Sequence, residues 1–452
     1  MYIVEKALNH SKKIGIDECE IVSVKKKTTT VRITDSEIAE IKQNFDETYG
    51  IRIIHQKKIV SSQTTDKQNI NKNIENIFNT MSNLKPREFW KKLPDKVSIK
   101  KIDGTFDKKL ENVSGSNAID IAQNMINSTI NDKVSTITGS LNIVSENFQL
   151  ENSNGLKFAD KSTYITGIIN AESEFGNIPV SGIGHASSRT LLNFSAQQIG
   201  NDAKNMCVKA INPQKIDSGK YSIIFEPYSV GELLAFVIAA NFNFKTFVEK
   251  KSCFSNDLDK KIGIEELNLI DDPHVQEGIG TKSVDDEGIE TQKRNLIENG
   301  IFKNTFSNLY DSFKEGIKSS GNASRGGSPM GRSSEPITIS APHNLKINSG
   351  TSSQEDMIKD TKRGLLVGRL WYTYAVNPIK GDFSCTARSG IHFIENGEIK
   401  NSGKSVRIIH NLATMLKNIS EIGNNQRNVI QWASLPSITP SIKVENITVN
   451  SI

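Results

Sequence analysis

What most constrains this chain is a period of two. In ECEIVSVKKK and then in TTTVRIT, apolar and polar side chains alternate, as they do on the two faces of half-buried strands. GIRIIHQKKIVSSQT follows as a hairpin with its polar turn near His55 to Lys58. Ile3, Val4, Ala7, Leu8 and Ser11 fall on one helical stripe before these strands, and Ile70, Ile74, Ile77, Phe78 and Met81 fall on another after them. The pattern predicts a layer of helices on an antiparallel sheet.

Alternation returns from Val134 to Glu174, around a turn at Asn152-Ser153-Asn154-Gly155. A helix through Ile119, Ala122, Met125, Ile126 and Ile130 precedes it, and one through Ile199, Ala203, Met206 and Ala210 follows, ending before Pro213. Between the two units, the polar, Lys-rich stretch Lys91 to Lys109 reads as a linker. From Lys220 onward the chain is strand-rich, with tight-hairpin signals at Glu298-Asn299-Gly300 and Glu395-Asn396-Gly397. Because 452 residues exceed one ordinary core, the expected fold is α+β in three units, 1–90, 110–213 and 218–452. The first two are mixed helix and sheet, and the third is strand-rich. Within it, SSGNASRGGSPMGRSSEP, Ser319 to Pro336, reads as a long mobile loop.

Charge and cysteine usage narrow the classes. A net charge of +5, from 56 Lys and Arg against 51 Asp and Glu, is small over this length. The densest basic run, Lys25 to Lys27, has no interleaved aromatic residues to stack bases, so a nucleic-acid surface is not expected. Cys19, Cys207, Cys253 and Cys385 form no CxxC pair, which argues against a disulfide framework and a thiolate zinc cluster and fits a reduced cytoplasm. No apolar run approaches the roughly 18 residues of a membrane span, and the N-terminus lacks the apolar core of a signal peptide.

Local motifs for chemistry are sparse. The histidines, His10, His55, His185, His274, His343, His392 and His410, have no second His at ligand spacing. There is no GxSxG and no Cys beside a His, although a triad assembled from distant positions stays open. GNASRGGS has Gly327 where a phosphate-binding Lys belongs, and GIGTKS lacks the third Gly of a dinucleotide loop. The acidic run DDPHVQEGIGTKSVDDEG, with Asp271, Asp272, Asp285, Asp286 and Glu287, offers oxygen ligands for a hard cation. Without a bidentate Glu at a matching offset, it reads as a solvated loop closed by Asx turns.

Together these segments resemble a known family. IDECEIVSVKKKTTTVRITDSEIAEIKQNFDETYG is similar to the first domain of the TldD/PmbA family, prokaryotic peptide hydrolases also called modulators of DNA gyrase. PQKIDSGKYSIIFEP, LIDDPHVQEGIGTKSVDDEGIETQKRNLIENGIFK, SSGNASR, TKRGLLV and VNPIKGDFSCTARSGIHFIENGEIK resemble its C-terminal domain, in the same order. TldD-type chains of this family carry His-Glu-x-x-x-His at the start of a helix, plus a Cys near the C-terminus, as metal ligands and general base. TldE (PmbA) chains generally lack them.

Aligned on Val230 and Gly231, the stretch EPYSVGELLAF places Pro227 at the first His, Tyr228 at the Glu and Glu232 at the second His. The segment NNQRNVIQWASLPSITPSIKVENITV holds no Cys, and Cys385, further upstream, reads as a buried structural thiol. The resemblance therefore implies a TldE-type, non-catalytic subunit with no catalytic or metal residue of its own. It would pair with a TldD-like chain that holds the zinc, or form a homodimer, and handle small or unfolded peptides. The lining it suggests is Gly321, Asn322, Ala323, Arg325, Arg363, Gly364, Asn377, Pro378, Gly381 and Asp382, with Arg363 free to meet a peptide carboxylate. A stand-alone metallopeptidase with a divergent site, and a DNA-gyrase or nucleic-acid-associated modulator, are the alternatives.

Overall fold

The computed structural model describes residues 2–96, 102–431 and 435–452. Its first part runs α1 (Tyr2–Lys13), β1 (Glu18–Thr34), β2 (Glu37–His55), β3 (Lys58–Thr64), α2 (Ile70–Asn79), α3 (Gly115–Thr129), β4 (Thr136–Asn152), β5 (Lys157–Ser173), β6 (Val180–Ser188) and α4 (Ala196–Lys209). The six strands form one antiparallel sheet in the order β3-β2-β1-β4-β5-β6. Since β1 pairs with both β2 and β4, segments 1–90 and 110–213 share that sheet.

Burial of the apolar stripes places the helices. Val4, Ala7, Ile70 and Ile74 pack on Ile21 and Ile51, whereas Ala122, Met125, Ile126, Ile199 and Ala203 pack on Ile165 and Ile169. Each such side chain, once buried, contributes about 1.5–3 kcal/mol. The α4 backbone lies directly on β6: a Cβ added at Gly184 would sit 1.8 Å from the Ile199 carbonyl oxygen. That contact carries the last turns of α4 toward the C-terminal part of the chain.

The stretch expected as a linker is partly a strap on this sheet. Leu93 is fully buried, and its N–H donates to Glu18 Oε1 at 2.7 Å. The Pro94 carbonyl accepts from Asn152 Nδ2 at 2.8 Å, and Trp90 Nε1 donates to Glu18 Oε2 at 2.8 Å. Two apolar anchors among the lysines suffice to hold the chain down. Residues 97–101 of the same stretch lie outside the described residues.

The C-terminal part contains β7 (Gly219–Phe225), α5 (Pro227–Leu233), β8 (Arg363–Asn377), β9 (Asp382–Glu395), β10 (Val406–Asn411) and β11 (Ile442–Ser451). β7 runs parallel to β8 and antiparallel to β11, β11 pairs with β10, β10 with β9, and β9 pairs back onto β8. The strands thus close into a small barrel. Its core holds Ile223, Phe225, Leu365, Val367, Phe383, Ile408 and Val444, together with Val230 and Leu233 of α5. The hairpin signals act as expected: Asn299, Gly300, Asn396 and Gly397 all adopt positive φ, as a type I′ turn requires. No helix among the described residues is long and apolar enough to cross a membrane.

Candidate functional site

The strand-to-helix junction after β7 is built by local chemistry. Glu226 is extended (φ −70°, ψ 162°), and Pro227 opens α5 at a position whose N–H needs no partner. Every residue of α5 is buried, and the helix widens into a π turn over Leu234–Ile238. Gly231 is required here, because a Cβ would meet Val429 Cγ1 at 2.6 Å. Tyr228 packs edge-on against the His185 ring, with centroids 4.5 Å apart. Glu232 points the other way and accepts from the Leu370 N–H at 2.6 Å. Burial pushes the Glu232 carboxyl up to about 8, although the Leu370 N–H and Arg369 pull the other way.

These groups do not fit a catalytic zinc ion, which takes three protein ligands and keeps a fourth position open. Pro227 offers no donor atom. Burial, aided by the Glu232 charge, raises the Tyr228 hydroxyl above its ordinary range, so it stays protonated at neutral pH. Glu232 is committed to a backbone N–H. Cys385 is fully buried in the barrel core, where burial pushes its thiol up. Among the described residues no group of three or more His, Cys, Asp or Glu is placed to hold a metal ion. Residues 432–434, in the segment without the Cys, lie outside the described residues.

What the junction does possess is a cavity of about 480 Å³, walled by α4, β6, β8, β9 and the Glu226-Pro227-Tyr228 corner. Glu226 Oε1 accepts from Gln354 Nε2 at 3.2 Å. Burial pushes the Glu226 carboxyl upward, against the pull of Gln354 and Arg427. His185 is driven well below its ordinary value by burial and then by Arg427, and His392 falls to about 4 by burial and then by Lys209, so both rings are neutral at pH 7. Arg427 pairs with Asp202 at 3.2 Å and donates to the His185 carbonyl at 2.9 Å. A cavity with a carboxyl, two neutral imidazoles and an amide can bind and orient a polar ligand.

Sequence reasoning quoted Glu226 without nominating it, and missed His185, Gln354, His392 and Arg427. Their sequence separation hides them. The available signal was the acidic residue directly before a helix-opening proline.

The ten residues suggested as lining stand in three separate places. Gly321, Asn322, Ala323 and Arg325 lie in the segment expected to be mobile, but it is tied down, with Asn322 and Arg325 each 1% exposed. Asn322 Nδ2 donates to Asp271 Oδ2 at 2.5 Å, the Ala323 N–H to Asp285 Oδ2 at 3.0 Å, and the Gly321 carbonyl meets His343 Nε2 at 2.8 Å. Arg325 reaches Glu20 of β1 at 2.5 Å, and Arg332 reaches Asp160 of β5 at 2.9 Å and Asp286 at 3.2 Å. The acidic run is therefore no solvated loop: Asp271, Asp285, Asp286 and Glu287 are all at most 1% exposed. Asp286 takes Arg332 and Lys282, Glu287 takes Arg52 of the first sheet, and Asp271 and Asp285 are held by Asn322 and backbone N–H groups. With Arg325 on Glu20 and Arg332 on Asp160, these contacts form a clasp that binds the C-terminal part to the first sheet.

The other candidates sit at opposite ends of β8. Arg363 donates to the Tyr221 hydroxyl at 2.9 Å with its guanidinium 4.6 Å over that ring, and Gly364 makes room for the Ser222 carbonyl of β7. Asn377, Pro378, Gly381 and Asp382 form the hairpin tip, where the Gly381 N–H donates to the Asn377 carbonyl at 2.9 Å and Asp382 accepts from Asn411 at 2.9 Å. Some 15 residues of strand, roughly 45 Å at about 3.3 Å each, separate the two groups. Lys25 to Lys27 make no basic face either, since Lys26 is buried and donates to the Met330 and Arg332 carbonyls at 2.8 and 2.7 Å.

Residues 218–451 match the family model described as the PmbA/TldA metallopeptidase C-terminal domain, and residues 19–84 match PmbA/TldA metallopeptidase domain 1. The chain belongs to the PmbA/TldD family. It is 24% identical over 398 residues to an uncharacterised protein of Methanocaldococcus jannaschii, covering 88% of this chain and 89% of the relative. It is 29% identical over 249 residues to metalloprotease PmbA of Escherichia coli O157:H7, covering 54% of this chain and 50% of the relative, about half of each. Among solved structures it resembles TldE of Thermococcus kodakarensis, with a TM-score of 0.90 at 24% identity over 99% of this chain and 100% of that one. That likeness establishes the fold. In this PmbA/TldD member, then, the strand-to-helix corner holds Pro227, Tyr228 and a hydrogen-bonded Glu232.

Proposed function

We propose that this chain is the TldE/PmbA-type companion in a two-chain metallopeptidase that trims small or unfolded peptides. The zinc and the hydrolytic step then belong to a TldD-type partner with a complete His-Glu-x-x-x-His. The observation that carries this reading is the corner itself: Pro227 without a donor atom, Tyr228 held on His185, and Glu232 bound to Leu370. Support also comes from the Escherichia coli relative, which bears the name metalloprotease, and from the fold shared with TldE. The companion's part is to complete the enclosure around the peptide and to supply the cavity beside Glu226.

Co-expression with a TldD-type chain tests this. The two should co-purify, zinc should travel with the partner, and chelator-sensitive peptide cleavage should need both. Cleavage by this chain alone, abolished by chelator, would transfer the chemistry here. A cytoplasmic setting is proposed on the same grounds.

A further inference from the structure

We propose that the cavity beside Glu226 is a binding site for a small zwitterionic α-amino compound, a free amino acid or a dipeptide, with its ammonium at Glu226 and His185 and its carboxylate at Lys209. One wall of the cavity carries an unmet hydrogen bond. His185 is 7% exposed, yet its Nε2 is buried with no partner. Burial and then Arg427 keep the ring neutral at pH 7, and in the tautomer protonated on Nδ1 the unpartnered Nε2 takes a donor. Leaving such an atom unpaired costs about 1–3 kcal/mol, which a ligand N–H relieves.

The polarity of the walls orients the ligand. Acceptors lie inside: the Glu226 carboxyl, shared with Gln354, and the His185 lone pair. Lys209 and Asn205 stand exposed at the end of α4, where the cavity opens. Asp202 and Arg427 neutralise each other, and Glu355 is exposed at the rim, so Lys209 is the cation left to meet an anion, with no ion-pair partner among the described residues. The Lys209 charge pulls the Glu226 carboxyl downward, against the stronger effect of burial. Burial keeps the Glu226 carboxyl pushed up, and an arriving ammonium would favour its ionised form. The apolar share of the wall, Ile183, Met206 and Leu366, leaves room for one modest side chain.

Assigning the ligand to peptide fragments rests on the companion reading; the polarity of the cavity does not. Titration of the purified full chain with L-alanyl-L-alanine, L-alanine and N-acetyl-L-alanyl-L-alanine, followed by calorimetry, tests the site. Saturable binding of a free zwitterion is expected, weakened at least about tenfold by N-acetylation, the weight of one lost charged contact. Glu226→Gln should weaken it about tenfold. Asn205→Trp, a change at the exposed mouth, should abolish it while leaving the thermal midpoint in place. Equal binding of the acetylated dipeptide, binding undiminished in both variants, or no saturable binding of either zwitterion would overturn the proposal. A chain that binds none of these probes yet still activates a TldD-type partner would remove the ligand and spare the companion role.

Discussion

At the clasp, Arg325 meets Glu20 at 2.5 Å, Arg52 meets Glu20 at 2.9 Å and Glu287 at 3.0 Å, and Arg332 meets Asp160 at 2.9 Å. At the corner after β7, by contrast, His185 Nε2 has no partner and Glu226 leans on an amide at 3.2 Å beside 480 Å³ of open space. Both regions bury charged and polar side chains, and both join the first sheet to the C-terminal part of the chain. In the clasp the guanidiniums are spent on carboxylates, so those charges specify how two parts of the chain fit. At the corner, the polar groups border an open cavity. Polar groups facing open space, more than charge itself, mark the place where this molecule can meet something else.

The comparison breaks first at Arg325. Arg325→Ala takes from Glu20 one of its two guanidiniums, leaves an arginine-sized void in the joint, and should cost about 3–5 kcal/mol in chemical denaturation. A loss below about 1 kcal/mol would mean the clasp is as replaceable as a surface pair.

Next in size is a pH effect at Glu232. Its folded carboxyl titrates at about 8 against an ordinary 4.5, so the fold holds the proton longer than the unfolded chain does. That contribution is whole below about pH 4.5 and is lost as pH rises to about 8, at no more than about 1.4 kcal/mol per pH unit. Glu232→Gln keeps an acceptor for the Leu370 N–H without the charge. The variant should gain on the native protein between these limits, read from thermal midpoints across pH. A difference independent of pH would contradict the assignment.

Two smaller changes sharpen the contrast. Arg427 and Asp202 are about one-third exposed, so Arg427→Ala should cost about 1 kcal/mol or less, well under Arg325→Ala. Arg363→Ala, at the exposed end of β8, should shift stability by about 0.5 kcal/mol or less and leave peptide turnover by a reconstituted pair unchanged. A marked loss of turnover would return Arg363 to the substrate path.

Much of the architecture was legible because it is local. The strand character of Glu18–Thr34, the helical stripe Ile70-Ile74 and the Asn-Gly turns each encode a geometry within a few residues. The two stretches of the first nevertheless form one strand that is covered on both faces, by the helices over Ile21 and by Phe148 and Val284 over Val22 and Val24. The clasp was not legible, because Glu20 and Arg325 lie 305 positions apart and an acidic run shows no sign of its counter-charges. The Gly and Ser content of 319–336 suggested freedom for the same reason, with Asp271 and Asp286 out of view. At the corner, the identities of Pro227, Tyr228 and Glu232 could be read residue by residue, whereas the cavity could not: His185, Glu226 and His392 meet only after β6, β7 and β9 are stacked.

The most direct test of the account is zinc content and peptide cleavage measured on the isolated chain after zinc loading and gel filtration, then repeated with a TldD-type partner added. The account requires far less than stoichiometric zinc and no chelator-sensitive cleavage from the chain alone, with both arising once the partner is present. Stoichiometric zinc on the lone chain, lost together with cleavage in a Glu232→Gln variant, would contradict it.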